Sequence, residues 1–459
     1  MSSRPNILLI TTDQQRWDAL GANGNPHIHT PNLDKLAENG VNFEQCYVQN
    51  PLCMPSRVSF LTGQYPSTLG ITHMGVPVPE ETVTLPTILS QYGYTSANFG
   101  KLHFQPHANR DHREPHPRYG FDQLEISDEP GVYEDAYRAW VRRKAPDQLD
   151  YLSVGLPPAT AVYHQTLEID DPVTHPSPDL RDDFIGAIPF PGDDTVTHAA
   201  FVAERTIDFL QQQDGKQPFL CIAAFYSPHA PWVVPQRYLD LYEPTSFTIH
   251  NSPFTIHNLS PVHGYYAMVS EVDHYVGEIL QTLEAQGLAD NTIIVFTSDH
   301  GEWLGDNGRF GKGYPGDDAV TRVPLIIKLP KIEEQRLKRG QVSASIFNYQ
   351  SSIIEAVDVL PTLLDLVGIQ IPAHVNGRSL LRTTECTKKS ALTEFAGWKT
   401  LRTPSHRYLI HTDGSERLWD DANQQLNPAD HPEVISEHRH LLLQRILDAE
   451  RPLPRTWPY

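Results

Sequence analysis

The chain has 459 residues, of which 39% are hydrophobic, and its formal net charge is −20 at pH 7. That length and apolar content are sufficient for one large globular domain with a smaller appended one. A charge this negative argues against nucleic acid or an anionic membrane as a partner, because both require a basic surface on the protein.

The first residues carry no sign of a signal peptide. Residues 1–6 lead directly into the apolar run 7–10, which leaves no room for a charged region, an apolar core and a cleavage site. No later apolar run reaches the length of a membrane span. The four cysteines, at positions 46, 53, 221 and 386, are too few and too dispersed for a disulfide framework. We expect a cytoplasmic protein, unless a leader has been removed from the chain.

Apolar, β-rich runs alternate along the chain with stretches of helical periodicity. Strands are predicted at residues 6–12, 94–99, 218–226 and 292–297, and helices at residues 31–39, 85–92, 198–213 and 265–286. This alternation is typical of an α/β fold with a large, mostly parallel, doubly wound sheet between helices.

A polar side chain of a type used in catalysis follows each of the four predicted strands. They are, in chain order, Asp13, Lys101, His229, and Asp299 with His300. In open parallel sheets, ligands bind beyond the carboxyl ends of the strands. The pattern therefore predicts that these side chains meet in one site.

Cys53 precedes a predicted helix at residues 56–64. Pro55 is favourable in a first helical turn, where its missing N–H costs nothing. Cys53 would then lie at the positive end of the helix, close to the guanidinium of Arg57. The sequence therefore predicts that a negative charge is stabilised around residue 53.

Residues 105–194 are rich in Pro, Asp and His and show little periodicity. An insertion of this length either shapes the substrate site or elaborates the surface, and the residues leave both readings open.

The C-terminal part of the chain has a different pattern. Short strands are predicted at residues 390–395, 399–402, 407–411 and 416–419, with a turn at 413–414 and a helix at 433–449. We predict a catalytic domain at residues 1–385 and a C-terminal subdomain at residues 386–459. The subdomain should consist of a small antiparallel sheet and one helix.

A metal site is the simplest use for Asp13, Asp299 and His300. Two carboxylates that meet at neighbouring strand ends repel each other, and a divalent cation removes that repulsion while it polarises a bound anion. The pattern therefore predicts that these residues hold a cation at the carboxyl edge of the sheet.

The segment around residue 53 resembles the maturation sequence of the formylglycine-dependent sulfatases. The match covers Cys53, Pro55, Ser56, Arg57, Leu61, Thr62 and Gly63. In that family a separate maturation enzyme oxidises the cysteine to formylglycine, whose hydrated aldehyde is the nucleophile. The resemblance spans most of the chain. It implies an alkaline phosphatase-like fold, with a mixed sheet between helical layers, and hydrolysis of a sulfate ester to an alcohol and sulfate.

The resemblance also implies roles for individual side chains. Arg57, Lys101 and Lys312 would bind the sulfate group, His103 would contact the nucleophile, and His229 would lie near the leaving oxygen. Lys101 and His103 stand in a Gly-Lys-x-His pattern like that of the family.

The cation that the resemblance implies is Ca²⁺, held by Asp13, Gln14, Asp299 and the oxidised side chain of Cys53. This chain departs from the family at two of the ligand positions. Gln14 stands where sulfatases commonly have a second acidic residue, and His300 stands where many relatives have asparagine. A nitrogen ligand at His300 admits a softer ion than Ca²⁺, and Mn²⁺ and Mg²⁺ are the alternatives.

Two other functions remain open at this point. A phosphonate monoester or phosphodiester hydrolase of the same superfamily would also transfer a tetrahedral anion. Relatives that act on phosphonates generally diverge from the Gly-Lys-x-His pattern and at the position of Ser56, so both features favour the sulfate ester. An unmatured, non-catalytic homologue would only bind its ligand.

For a sulfatase, the partners would be the maturation enzyme and a small-molecule or saccharide sulfate ester. The alcohol half of the substrate and the oligomeric state are not specified by the sequence.

Overall fold

A large sheet and a small sheet organise the protein. The structure is a computed structural model that describes residues 4–106, 114–156, 186–243, 260–314, 316–331, 346, 350–381 and 388–450. The strands of the described residues are β1 (Asn6–Thr12), β2 (Val41–Tyr47), β3 (Thr95–Gly100), β4 (Gln123–Ile126), β5 (Ile188–Pro189), β6 (Phe219–Ala224), β7 (Val233–Val234), β8 (Thr292–Ser298), β9 (Arg322–Lys328), β10 (Ile353–Glu355), β11 (Ala391–Phe395), β12 (Trp398–Arg402), β13 (His406–His411), β14 (Glu416–Asp420) and β15 (Gln425–Leu426).

The α-helices of the same residues connect these strands. They are α1 (Pro31–Glu38), α2 (Cys53–Thr62), α3 (Pro66–Leu69), α4 (Leu85–Ser90), α5 (Ala136–Lys144), α6 (His198–Gln211), α7 (Gln236–Leu239), α8 (Pro261–Ala285), α9 (Asp318–Thr321), α10 (Val359–Leu366) and α11 (Pro432–Ala449). In the part of the chain that is described, no helix combines the length and apolarity that crossing a bilayer requires.

The large sheet has eight strands in the order β10-β2-β9-β8-β1-β6-β3-β4. Strand β9 runs antiparallel to its neighbours β2 and β8, and the other neighbouring pairs are parallel. The mostly parallel, mixed sheet is therefore confirmed. The predicted strands 6–12, 94–99, 218–226 and 292–297 are also present, with ends that differ by at most two residues.

Both faces of the large sheet are buried beneath helices. In β1, Ile7 and Leu9 pack into one apolar cluster, while Leu8 and Ile10 pack into the cluster on the opposite face. Helices α2, α4 and α10 contribute to the first cluster, and helices α1, α6 and α8 to the second. This arrangement follows from the alternation of side chains along each strand, because a run that is apolar on both faces needs a cover on both.

The small sheet is antiparallel, in the order β11-β12-β13-β14-β15, and α11 packs on it. This confirms the predicted antiparallel sheet and helix. The apolar cluster beneath α11 also contains Tyr65 and Val357 from the first part of the chain. The division into residues 1–385 and 386–459 stays a prediction, and the proposed boundary lies outside the described residues. So do residues 107–113 and 157–185 of the long insertion.

A buried set of charges joins the small sheet and α11 to the large sheet. The carboxylate of Glu355, at the end of β10, lies 2.6 Å from Lys388 Nζ and 2.5 Å from an Arg445 guanidinium nitrogen, and it accepts a 2.7 Å hydrogen bond from the Tyr65 hydroxyl. Burial acts to raise the pKa of Glu355, but Arg445 and Lys388 outweigh it and bring the pKa to about 2.

We expect Glu355→Gln to lower the free energy of unfolding at neutral pH by about 3–5 kcal/mol. The substitution removes the nearest carboxylate of Arg445 and one of the two carboxylates that pair with Lys388. The native pKa of Glu355 lies below the ordinary value of 4.5, so its contribution is present above that value and is lost as the pH falls towards 2. Urea unfolding of wild type and Glu355→Gln at pH 7 and near pH 3 measures this contribution. The difference between their free energies of unfolding should be smaller at the lower pH. The exposed Asp214→Asn serves as the control, and equal stability of Glu355→Gln and wild type at pH 7 would contradict the assignment.

Candidate active site

The strands that carry the predicted site residues are neighbours in the large sheet. Strands β8, β1, β6 and β3 lie side by side and parallel, so their carboxyl ends meet at one edge. The backbone N–H of Asp299 donates to the Thr12 carbonyl at 3.2 Å, and that of Lys101 donates to the Ala224 carbonyl at 2.9 Å. The predicted convergence of these strand ends is therefore present.

Gly100 makes this close approach possible at the end of β3. Its φ of +95° lies in the left-handed region, and a Cβ built on it would fall 2.1 Å from the Ala224 carbonyl oxygen. Only glycine fits there without moving the backbone of β6. The chain then turns so that Lys101 enters the site fully buried.

Helix α2 begins at Cys53 itself, which corrects the prediction that the cysteine precedes the helix. Leu52 is extended and takes the N-cap position, while Pro55 still lies in the first turn. The helix ends at Thr62, where Gly63 adopts a left-handed conformation with a φ of 67°. Leu52 makes no side-chain capping hydrogen bond, so the first turn offers the positive end of the helix to the site.

The Cys53 thiol lies at the centre of the predicted residues. The Lys312 ammonium donates to Cys53 Sγ at 2.7 Å, His300 Nε2 lies 3.1 Å from the sulfur, and Asp13 Oδ1 lies 3.7 Å from it. Burial acts to raise the pKa of the thiol, and so does Asp13. The neighbouring positive charges, of which Lys312, Lys101 and His300 are the largest, together outweigh both, so the pKa of Cys53 lies below its ordinary value. The site therefore favours a negative charge at this position, as predicted.

The two predicted carboxylates face two buried cations. Lys101 Nζ lies 2.6 Å from Asp13 Oδ2, and Arg57 Nε lies 2.7 Å from Asp299 Oδ2. A second Arg57 nitrogen lies 3.6 Å from Asp13 and ties the pairs together. Burial acts to raise the pKa of Asp13, but the charges of Lys101, Lys312, Arg57 and other neighbours together outweigh it and hold that pKa well below its ordinary value. Both the anions and the cations of the site are thus held in place before any ligand binds.

The donor atoms needed for a metal ion are close together. One ligand atom from each of Asp13, Cys53, Asp299 and His300 lies within 4.8 Å of all the others. The Nδ1–H of His300 donates to the Gly301 carbonyl at 2.9 Å, so Nε2 keeps its lone pair for a ligand. The side-chain amide oxygen of Gln14 is buried, and it has no hydrogen-bond donor among the described residues. The residues present fit a divalent cation.

His229 contacts Lys312, the residue whose ammonium donates to the Cys53 thiol. Lys312 Nζ donates to His229 Nε2 at 2.9 Å, and His229 Nδ1–H donates to the Ala230 carbonyl at 2.6 Å. Burial, followed by the charge of Lys312, holds the pKa of His229 well below its ordinary value. Neutral His229 therefore presents an acceptor nitrogen to the ammonium that also contacts Cys53.

His103 is buried in the loop that follows Lys101. Its φ of 55° is in the left-handed region, and its backbone N–H donates to Asp128 Oδ1 at 2.8 Å, as does that of Leu102. A non-glycine residue in this conformation is uncommon and is found repeatedly at functional sites. The contact between His103 and the nucleophile stays a prediction.

Sequence reasoning missed two buried side chains of this site, Tyr226 and Glu302. The hydroxyl of Tyr226 lies 2.9 Å from His229 Nδ1, and Lys101 Nζ lies 4.8 Å above the centre of its ring. Glu302 accepts hydrogen bonds around the Lys312 loop. The contact of Tyr226 with Lys101 and that of Glu302 with Gln14 join residues that are far apart in the sequence, so no local pattern reveals them.

Comparisons with known proteins identify the family of the chain. The sulfatase family model matches residues 5–369. An ulvan-active sulfatase from Formosa agariphila is 30% identical over an alignment of 472 positions, which covers 98% of this chain and 80% of that protein.

Two solved structures share the fold over nearly their whole length. The phosphonate monoester hydrolase of Agrobacterium radiobacter has a TM-score of 0.77 at 23% identity, over 97% of this chain and 96% of that one. A protein solved in complex with its substrate D-glucosamine-2-N,6-O-disulfate has a TM-score of 0.72 at 21% identity, over 98% of both chains. With a family match that covers most of its length, the chain belongs to the sulfatases, the sulfuric ester hydrolases of the alkaline phosphatase superfamily.

Proposed function

We propose that the protein hydrolyses a sulfate ester with a nucleophile that a maturation enzyme makes from Cys53, next to one divalent cation. The observation that carries the proposal is the position of the Lys312 ammonium, 2.7 Å from Cys53 Sγ at the start of α2. Transfer of a tetrahedral anion requires fixed positive charge where its oxygens lie, and buried lysine and arginine provide it with little reorganisation. Lys101 and Arg57 supply two more buried cations in the same pocket.

Formylglycine at position 53 accounts for the need to modify a cysteine. When hydrated, it offers one hydroxyl that attacks sulfur and a second whose deprotonation lets sulfate leave by elimination. A simple hydroxyl side chain would have to wait for water to release the sulfate. The burial of Cys53 at a helix start, among cations, supports an anionic oxygen in this place.

One divalent cation would be held by Asp13, Gln14, Asp299, His300 and residue 53. When bound, it would compensate the two carboxylates and polarise an oxygen of the sulfate group. The oxygen-rich set favours Ca²⁺ and also suits Mg²⁺, and the single imidazole admits the softer Mn²⁺.

The remaining side chains divide the work of binding and proton transfer. Lys101, Lys312 and Arg57 hold the sulfate oxygens in place. The Nε2 of His229, in contact with Lys312, faces the leaving oxygen and delivers its proton. Burial, followed by the charge of Lys312, keeps the pKa of His229 low. A bound anion offsets the charge of Lys312 and so favours the protonated imidazole that this step needs. His103 accepts the proton of the second hydroxyl.

The proposed substrate is a saccharide or small-molecule sulfate ester. The similarity to an ulvan-active sulfatase and to a protein that binds a glucosamine disulfate supports a saccharide. The high fold similarity to a phosphonate monoester hydrolase supports one alternative, hydrolysis of a phosphonate monoester or phosphodiester. Gln14 and His300 suit either reaction, whereas Lys101 and His103 favour the sulfate ester.

A paired assay distinguishes the two reactions. We expect kcat/KM for an aryl sulfate to exceed that for an aryl phosphonate monoester with the same leaving group, because Lys101 and His103 match sulfatases. Both rates should be measured on one preparation of the matured protein with Ca²⁺ and with Mn²⁺. A higher kcat/KM for the phosphonate with either ion would favour the alternative function.

A further inference from the structure

A buried carboxylate links the predicted cation ligands to the loop that carries Lys312. The carboxylate of Glu302 is inaccessible to solvent. Its Oε1 accepts the backbone N–H of Leu304 at 3.0 Å and the backbone N–H of Gly311, and its Oε2 accepts the side-chain amide of Gln14. Both carboxylate oxygens of Glu302 therefore accept hydrogen bonds, and each donor is an N–H group.

These contacts determine how the Gln14 side chain is turned. Its NH₂ group faces Glu302, and its carbonyl oxygen has no donor among the described residues. The backbone of Gln14 is also fixed, because its N–H donates to Asp299 Oδ1 at 3.0 Å and its carbonyl accepts the Tyr265 hydroxyl at 2.8 Å. With the backbone fixed and the NH₂ occupied, the oxygen is the end of the amide that remains for a cation.

The same carboxylate fixes the backbone next to Lys312. Gly311 donates to Glu302, and the Gly311 carbonyl accepts the backbone N–H of Trp303 at 2.9 Å. The following residue, Lys312, reaches both Cys53 Sγ and His229 Nε2. The position of the Lys312 ammonium therefore depends on the loop that Glu302 anchors at the preceding residue, Gly311.

We propose that Glu302 is a positioning residue that turns the Gln14 carbonyl oxygen towards the divalent cation and anchors the loop of Lys312. The inference rests on the proposed function, because it assumes that Gln14 is a ligand of that cation. It gives a physical reason why an amide can stand at a position where sulfatases commonly have a carboxylate. The negative charge lies one hydrogen bond further from the cation, on Glu302.

Glu302→Gln tests the orientation of Gln14 directly. The new carboxamide oxygen can still accept from Leu304 and Gly311, but its NH₂ group then faces the NH₂ of Gln14. The Gln14 amide must turn over, which directs its NH₂ group at the cation. We expect the affinity for Ca²⁺, measured by calorimetric titration of the full-length protein, to fall about 10–100-fold, as is usual when the partner of a metal ligand is removed.

The exchange variant Gln14→Glu/Glu302→Gln provides the rescue. In this variant the amide at position 302 can donate to one oxygen of the carboxylate at position 14 and leave the other oxygen for the cation. Most of the lost Ca²⁺ affinity should therefore return. Asp306→Asn is the matched control, because Asp306 lies on the same loop but pairs with Arg16. It removes one carboxylate charge without touching Gln14 or Gly311, and the affinity should stay at the wild-type value.

Glu302→Ala adds the kinetic readout. It leaves the N–H groups of Leu304 and Gly311 without their Glu302 acceptor, so kcat should fall further than in Glu302→Gln. KM should change by a smaller factor than kcat. Unchanged Ca²⁺ affinity in Glu302→Gln, or no recovery in the exchange variant, would overturn the proposal. Failure of the proposed function would look different, because the wild-type protein would then bind Ca²⁺ and cleave no sulfate ester.

Discussion

Cys53→Ala is expected to abolish hydrolysis of an aryl sulfate by the matured protein. The substitution removes the side chain that becomes the nucleophile, and removal of a nucleophile costs on the order of 10⁴–10⁶ in kcat in enzymes that act through a covalent step. The fold should persist, because alanine fits the first turn of α2 and the cations around it keep their partners Asp13 and Asp299. Initial rates with a chromogenic aryl sulfate measure the effect.

Two further cysteine variants make this result specific. Cys53→Ser keeps a hydroxyl but lacks the second one, so it should release about one equivalent of aryl alcohol and then stall. Cys221→Ala, in the buried strand β6, should retain wild-type kcat because that thiol only packs in the core. Near-wild-type turnover by purified Cys53→Ala would refute the assignment of the nucleophile.

Lys312→Ala is expected to lower kcat by about 10²–10³-fold, the usual cost of removing one preorganised group that stabilises developing charge. The ammonium lies 2.7 Å from Cys53 Sγ and 2.9 Å from His229 Nε2, so the variant loses a contact to the nucleophile and a contact to the proton donor together. Steady-state kinetics with the same aryl sulfate separate kcat from KM.

The control for Lys312→Ala is Lys216→Ala, which removes a lysine that is 85% exposed and pairs with Asp214. Its kcat should equal that of wild type. Circular dichroism and thermal unfolding establish whether Lys312→Ala is folded. A folded variant with unchanged kcat would show that Lys312 does not stabilise the transition state.

The central sheet was predictable because its strands are apolar on both faces. Residues 6–12 and 292–297 have no polar alternation, which is typical of parallel strands covered by helices on each side. The start of α8 was predicted four residues too late. It begins at Pro261 because the hydroxyl of Ser260 accepts the N–H of His263, a capping signal that hydrophobic periodicity does not detect.

The chemical types of the site residues were predictable, but the support around them was not. Asp13, Lys101 and Asp299 follow strands, and the topology of a parallel sheet brings strand ends together. Glu302 is different, because its role depends on a contact with Gln14 across 288 positions of the sequence. The role of Tyr226 likewise depends on the ammonium of Lys101, which only the folded chain brings to its ring.

The identity of the side chain at position 53 in active protein tests the account most directly. The protein should be produced together with a formylglycine-generating enzyme, assayed with an aryl sulfate, and digested for mass spectrometry of the peptide that contains residue 53. We predict the mass of formylglycine or its hydrate at that position, in a fraction that rises and falls with kcat across preparations. Full sulfatase turnover by a preparation in which residue 53 is entirely unmodified cysteine would contradict the account.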